Sequence, residues 1–255
     1  MTHLVEGKAG LVTGAGSGIG RASALALASS GAKVMVSDID ETAGGETVEL
    51  IREAGCTAEF FRCNVAEETQ VAALVDATVT AFGKLDFAFN NAGMNGVFAP
   101  LDEIDSATWD RVISVNLTSV FYCLKYELAA MKKQGGGSIV NTSSGAGLTG
   151  IFNNGPYNAS KFGVVGLTRN AAMDYGQFGI RVNALAPGST ATPMMMNAFE
   201  QNTEEFKAQI LNSIPMRSLV EPADQGAAVV WLCSDASKMV SGIALPVDGG
   251  WLAGK

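Results

Sequence analysis

At 255 residues, with apolar side chains at 47 % and charged ones at 16 %, the chain is long enough for one large α/β domain and too apolar to be disordered. A net charge of −8 disfavours a polyanionic partner such as nucleic acid and reads as a solvated acidic surface. The one histidine, His3, stands at the N-terminal end, so a Ser-His-Asp triad, a zinc-histidine site and a histidine general base are all hard to build.

The pattern predicts a strand over Ala9–Thr13, a helix over Gly18–Ser30, a strand over Lys33–Asp38 and a helix over Glu41–Ala54. A strand at Thr57–Arg62, a helix at Glu67–Phe82 and a strand at Leu85–Asn90 continue the series, and one long helix is expected over Ala107–Lys133. Then follow a strand at Gly137–Thr142, a helix at Pro156–Phe178, a strand at Ile180–Leu185, a helix at Pro222–Ser234 and a last strand at Ile243–Val247. Seven strands, nearly all followed by helices, argue for a parallel sheet covered on both faces, a doubly wound α/β fold with ligands at the carboxyl ends of the strands. Residues 188–217 break the rhythm and read as an insertion over the site, and no linker, repeat or composition break divides residues 1–255 into two domains.

Cys56, Cys63, Cys123 and Cys233 form no CxxC pair, which fits scattered reduced thiols. No basic segment precedes an apolar run at the N-terminus, and no stretch approaches the ~20 apolar residues of a spanning helix. The expectation is a soluble, cytoplasmic protein.

Between the first strand and first helix lies Thr13-Gly14-Ala15-Gly16-Ser17-Gly18-Ile19-Gly20, where main-chain N–H groups at a helix start can receive a pyrophosphate. The spacing is GxxxGxG through Gly14, Gly18 and Gly20, not GxGxxG, and such a turn by itself could equally be a tight packing corner. Asp38 favours the pyrophosphate reading, against a solvated acid at a strand end. It ends the second strand 24 residues after Gly14, where a dinucleotide fold places a carboxylate on the adenosine ribose hydroxyls. A 2′-phosphate there would meet like charge, about 4 kcal/mol per unit pair at 4 Å and an effective dielectric of 20. Ala15, Ser17 and Ile39 offer no compensating cation and Arg21 is one turn onward, so NAD(H) is favoured over NADP(H).

Tyr157 and Lys161 stand four residues apart in Tyr-Asn-Ala-Ser-Lys, on one face of a helix. Alone the pair is an ordinary amphipathic contact, but a phenol beside an ammonium can also exchange protons, because the cation favours the phenolate. A secondary alcohol that loses a hydride must also lose its hydroxyl proton, and such a phenol is a suitable acceptor.

Thr13–Gly20, Asn90-Asn91-Ala92-Gly93, Asn116, Ser144, Tyr157 with Lys161, and Pro187-Gly188 together resemble the short-chain dehydrogenase/reductase family in its compact form. Their joint order carries the resemblance, including the thirteen positions from Ser144 to Tyr157. It implies a Rossmann fold, NAD(H), Tyr157 as general acid/base, and Ser144 rather than Ser143 on the substrate oxygen. It further implies that Lys161 lowers the phenol's pKa and holds the nicotinamide ribose, and that Asn116 anchors a proton-relaying water. A bland reading of Asn116 is a buried polar residue satisfying main chain. Gly14, Ser17, Gly18 and Ile19 would hold the phosphates, Asp38 and Ile39 the ribose, and Asn90, Ala92 and Gly93 would let the cofactor lie flat. Asn64-Val65 stands where the family often has Asp-Val against the adenine. Pro187, Gly188, Thr190 and Thr192 resemble the segment that grips the carboxamide, Thr190 departing from a common branched aliphatic. Val247-Asp248-Gly249-Gly250-Trp251 resembles the family's C-terminal ending, and a homotetramer is implied through the long helices.

Met194, Met195 and Met196, with Phe199, Phe152, Leu148 and Met94, suggest an apolar pocket for a hydrophobic ketone or secondary alcohol, though methionines in an insertion are as often ordinary packing. Two other function classes compete. A dinucleotide-binding sensor or scaffold without turnover is disfavoured by the intact Asn116, Ser144, Tyr157 and Lys161 set. A sugar-nucleotide epimerase or dehydratase is disfavoured by the short tail after Val247. Enoyl reductases typically space the tyrosine and lysine more widely than four.

Overall fold

The computed structural model describes residues 3–255, apart from the side chain of Met194. Seven strands, β1 (Ala9–Thr13), β2 (Lys33–Asp38), β3 (Ala58–Arg62), β4 (Phe87–Asn90), β5 (Gly137–Thr142), β6 (Ile180–Pro187) and β7 (Ala244–Val247), form one parallel sheet in the order β3-β2-β1-β4-β5-β6-β7. The doubly wound α/β fold expected from the alternation is therefore the fold observed. Burial on both faces explains the near-continuous apolar strands, and neighbouring residues divide between two cores. Val12, Val34, Val36, Phe87, Phe89 and Val140 face one layer, with α1 (Gly18–Ser29), α2 (Glu41–Glu53) and α9 (Pro222–Cys233) against it. Leu11, Met35, Ala88, Ile139 and Val182 face the other, under α3 (Glu68–Phe82), α5 (Ser119–Gln134) and α6 (Gly155–Tyr175).

The strand order reverses between β1 and β4, which opens a crevice at their carboxyl ends. Thr13 pins this mouth, its Oγ1 accepting from the main-chain N–H of Asn91 at 3.0 Å and of Ala92 at 3.1 Å. After β6 the chain forms α7 (Pro193–Glu200) and α8 (Glu204–Ser213) before α9. No helix among the described residues is long and apolar enough to cross a membrane.

Several boundaries shift by two or three residues, β6 running on to Pro187 and α6 ending at Tyr175, and two differences have a clear physical reason. β4 begins at Phe87, not Leu85, because the Gln134 carboxamide occupies the main chain of Leu85 on both sides, at 3.1 and 2.7 Å. The long helix expected over 107–133 is two, α4 (Ser106–Ile113) and α5, joined by a π-turn at Ser114–Thr118. An apolar period near 3.6 does not register one widened turn, and such turns mark functional sites in helices. Here the widened turn carries Asn116.

Under β4 lies a buried polar chain: Asn90 Nδ2 donates to Glu127 Oε2 at 2.9 Å and to Asn141 Oδ1 at 3.0 Å, and Asn141 Nδ2 to Thr168 Oγ1 at 3.0 Å. Glu127 is 0 % exposed, and its Oε1 has no partner among the described residues. Burial pushes its carboxyl from 4.5 up to about 8, against a smaller opposing pull from Asn90. The folded chain thus holds a proton that the unfolded chain releases above 4.5, so this group's contribution to stability falls as pH rises from there to about 8. We predict that Glu127→Gln removes a slope of up to about 1.4 kcal/mol per pH unit across that window and raises stability at its alkaline end. Urea denaturation of both proteins at several pH values measures it, and parallel pH profiles would place the titration elsewhere.

Candidate active site

Ser17 is the N-cap of α1, in extended conformation, and its side chain makes no capping hydrogen bond. By contrast Asp40, Asp105 and Thr203 cap α2, α4 and α8 with their side chains. The first-turn amides of α1 therefore face the crevice without a side-chain acceptor, the condition for taking an anion. Glycine is required in the turn above them. Gly14 has φ +61°, and a Cβ on Gly20 would fall 2.0 Å from the Gly14 carbonyl oxygen.

Asp38 is fixed before any ligand arrives. Its Oδ2 accepts from the Gly16 N–H at 2.8 Å and its Oδ1 from the Asp40 N–H at 3.0 Å. Arg21, the cation that could have complicated the charge argument, is committed to α2. Its Nε donates to Thr47 Oγ1 at 2.9 Å, and its Nη2 to the Ala43 carbonyl at 3.0 Å and Glu46 Oε2 at 2.9 Å.

On α6, Lys161 is 3 % exposed, donates to the Thr142 carbonyl at 2.9 Å and places its Nζ 5.5 Å from the centroid of the Tyr157 ring. Burial pulls the ammonium down from 10.5 to about 8. Burial also raises the Tyr157 phenol, while the Ser144 hydroxyl beside it pulls the other way. The expectation that Lys161 lowers the phenol's pKa is thus not met in the isolated chain. Desolvation is the larger cause for both groups, and what opposes it on the phenol is Ser144 rather than Lys161. Ser143 and Ser144 both border the cleft with Tyr157, but Ser143 is buried and donates to the Lys161 carbonyl at 3.0 Å, whereas Ser144 is half-buried with its hydroxyl at the phenol.

Asn116, 1 % exposed, clasps the main chain of Met94: its Oδ1 accepts from the N–H at 2.8 Å and its Nδ2 donates to the carbonyl at 2.9 Å. Its side chain thus fixes the loop after β4, and Gly93 lies between it and the Lys161 ammonium.

Two contiguous clefts share Ile19, Asn95, Thr142, Tyr157 and Thr192. One, about 440 Å³, runs past Gly14, Ser17, Gly18, Asp38, Ile39, Asn64, Val65, Ala92, Gly93 and Lys161. The other, about 380 Å³, is walled by Ile151, Met195, Phe206, Ile210 and Trp251 and reaches Ser144, Pro187, Gly188 and Thr190. Cys63 borders the first, with its thiol pushed up by burial to about 11 and so unreactive.

Several expected residues lie elsewhere. Asn90 lines neither cleft; it points into the polar core, and its neighbour Asn91 lines the first, since successive strand residues face opposite ways. Met94, expected on the substrate, lines the first cleft. Leu148, Phe152 and Phe199 line neither: Phe152 is 86 % exposed, and Phe199 is buried edge-on against Phe206, ring centroids 6.3 Å apart. The Thr190 hydroxyl is spent on the Gly188 carbonyl at 2.9 Å and on Gln225 Nε2 at 3.1 Å. The Met194 side chain lies outside the described residues. Asn154, Ile151, Phe206, Ile210 and Trp251 border the second cleft without having been picked out as site residues. Of these only Asn154 carries a local signal, three residues before Tyr157 on one helix.

Residues 14–252 match the family whose model is described as Enoyl-(Acyl carrier protein) reductase. The 2,5-dichloro-2,5-cyclohexadiene-1,4-diol dehydrogenase of Sphingobium indicum is 46 % identical over 253 residues, covering 98 % of each chain. The crystal structure of levodione reductase superposes with a TM-score of 0.95 at 38 % identity, covering 98 % of this chain and 99 % of that one. An NAD+-bound xylitol dehydrogenase structure gives 0.93 at 36 %, covering 96 % and 99 %.

Proposed function

The chain belongs to the short-chain dehydrogenase/reductase family, and on that footing we propose that it is an NAD(H)-dependent oxidoreductase interconverting a secondary alcohol and a ketone on a hydrophobic or cyclic substrate. The observation that carries this reading is the meeting of Ser144, Tyr157 and Lys161 where the two clefts join. Apolar walls on the second cleft, and relatives whose names specify cyclic alcohols or ketones, support the substrate class. The four-residue spacing of Tyr157 and Lys161 favours alcohol chemistry over the enoyl reduction in the family description.

The residues fit a dinucleotide. The uncapped N-terminus of α1 with Gly14, Ser17, Gly18 and Ile19 would take the pyrophosphate, Asp38 and Ile39 the adenosine ribose, and Asn64 and Val65 the adenine. Lys161 would hold the second ribose, with Ala92 and Gly93 beneath it and Pro187, Gly188 and Thr192 around the carboxamide. When bound, the nicotinamide supplies or accepts the hydride. Tyr157 gives its proton to the ketone oxygen in reduction and takes the hydroxyl proton in oxidation, and Ser144 donates to the same oxygen. Asn116 holds the loop that brings Gly93 and Met94 to the lysine, and we place the proton-relaying water there.

NADH formation from a panel of cyclic, aromatic and steroid-like alcohols tests the activity; no turnover of any with either cofactor would refute it. Asp38→Ala is expected to shift preference towards NADP+ by roughly tenfold or more, since a carboxylate that repels the 2′-phosphate is gone. Equal discrimination before and after the change would defeat the ribose assignment. The proposal extends to a homotetramer in the cytoplasm. Trp109, Phe121, Phe162 and Met173 on α4, α5 and α6 are exposed apolar side chains that a subunit contact would cover. Sizing chromatography should give four copies, and a monomer would overturn that part.

A further inference from the structure

Several polar groups bordering the apolar cleft are already spent, while Asn95 is exposed and Ser189 half-buried. Ser143 donates to the Lys161 carbonyl, Thr190 is held between Gly188 and Gln225, and Thr192 Oγ1 accepts from the Met195 N–H at 3.4 Å. Ser144 and Tyr157 are assigned to the reacting oxygen. Asn154 differs. It is 6 % exposed, its carboxamide makes no hydrogen bond to any described residue, and its Oδ1 is buried without a partner.

Asn154 borders the cleft, with its Oδ1 turned to Gly96. Asn154 is the N-cap of α6 yet does not cap the helix with its amide. Its main chain is tied down by a parallel bridge to Ala99 and by its carbonyl, which accepts from the Asn158 N–H at 2.9 Å. The i, i+3 spacing sets it on the same side of the helix as Tyr157, and both border the one cleft. Buried amides are almost always hydrogen-bonded, and one without a partner beside a reacting group is free to take a ligand atom.

We propose that Asn154 is the recognition group for a second oxygen substituent, hydroxyl or carbonyl, carried on a ring carbon other than the reacting one. An amide can donate to either and can accept from a hydroxyl. Cyclic diols, hydroxyketones and diketones are then preferred over rings with a single oxygen, which Ile151, Met195, Phe206, Ile210 and Trp251 hold by apolar contact alone. This rests on the alcohol-ketone reading of the cleft.

The test compares kcat/KM for cyclohexane-1,2-diol and cyclohexane-1,4-diol with that for cyclohexanol, and for cyclohexane-1,4-dione with that for cyclohexanone. The wild type should favour the doubly oxygenated member of at least one pair. Asn154→Leu should lower that preference roughly tenfold or more. Asn154→Asp, which accepts but cannot donate, should keep preference for a diol and lose it for the dione. An unchanged ratio, or an equal fall for every substrate, would overturn the assignment. If no alcohol is turned over, the alcohol-ketone reading fails instead. Calorimetric titration of the diols then reads the contact directly: binding weakened roughly tenfold by Asn154→Leu upholds it, and unchanged or undetectable binding to the wild type sinks it.

Discussion

Tyr157→Phe should keep NADH binding and lose about 10³-fold in turnover in both directions, the scale expected when a positioned general acid/base is removed. The ring remains, so the apolar wall and the packing of α6 survive, and only the proton is lost. Because burial raises the phenol, it is protonated at neutral pH and ready to donate in reduction. Oxidation needs the other form. Alcohol oxidation should therefore climb as pH rises through the alkaline range, while ketone reduction does not. Steady-state rates in both directions against pH, with NADH affinity measured by fluorescence, decide the matter. A phenylalanine variant with wild-type turnover would remove Tyr157 from the proton step, and so would identical pH profiles in the two directions.

The parts legible in the sequence are those set by local geometry. Gly14, Gly18 and Gly20 follow from one turn, Asp38 from the end of one strand, and Tyr157 with Lys161 from one turn of helix. What escaped depends on direction or on distant segments. Asn90 and Asn91 are adjacent in a strand, so a one-residue error in facing exchanges core for cleft. Arg21 has no preferred direction in sequence, and only Thr47, Ala43 and Glu46 on α2 give it one. The second cleft draws Phe206 and Ile210 from α8, Trp251 from the segment after β7 and Ile151 from the approach to α6, and no periodicity spans those separations. Asn116 draws notice through its family motif, but the π-turn that carries it is invisible to apolar spacing.

Lys161→Met should separate stability from activity. A buried ammonium with one carbonyl partner is held at a cost, and its fall from 10.5 to about 8 corresponds to a penalty on the order of 3 kcal/mol. An isosteric apolar chain removes the penalty and leaves the Thr142 carbonyl without that donor, so the net gain is smaller, and the variant should melt a few degrees higher. Between about 8 and 10.5 the unfolded chain binds a proton that the folded one has released, so wild-type stability rises with pH there. Lys161→Met should lack that rise. Its turnover should nevertheless drop by about 10²-fold or more, because the amine proposed to hold the nicotinamide ribose beside the phenol is gone. Function would then be the reason an amine occupies a position where the fold prefers hydrocarbon. Melting curves across that pH window, paired with steady-state rates, test both halves: a variant that is less stable at every pH and still active would show Lys161 to be structural.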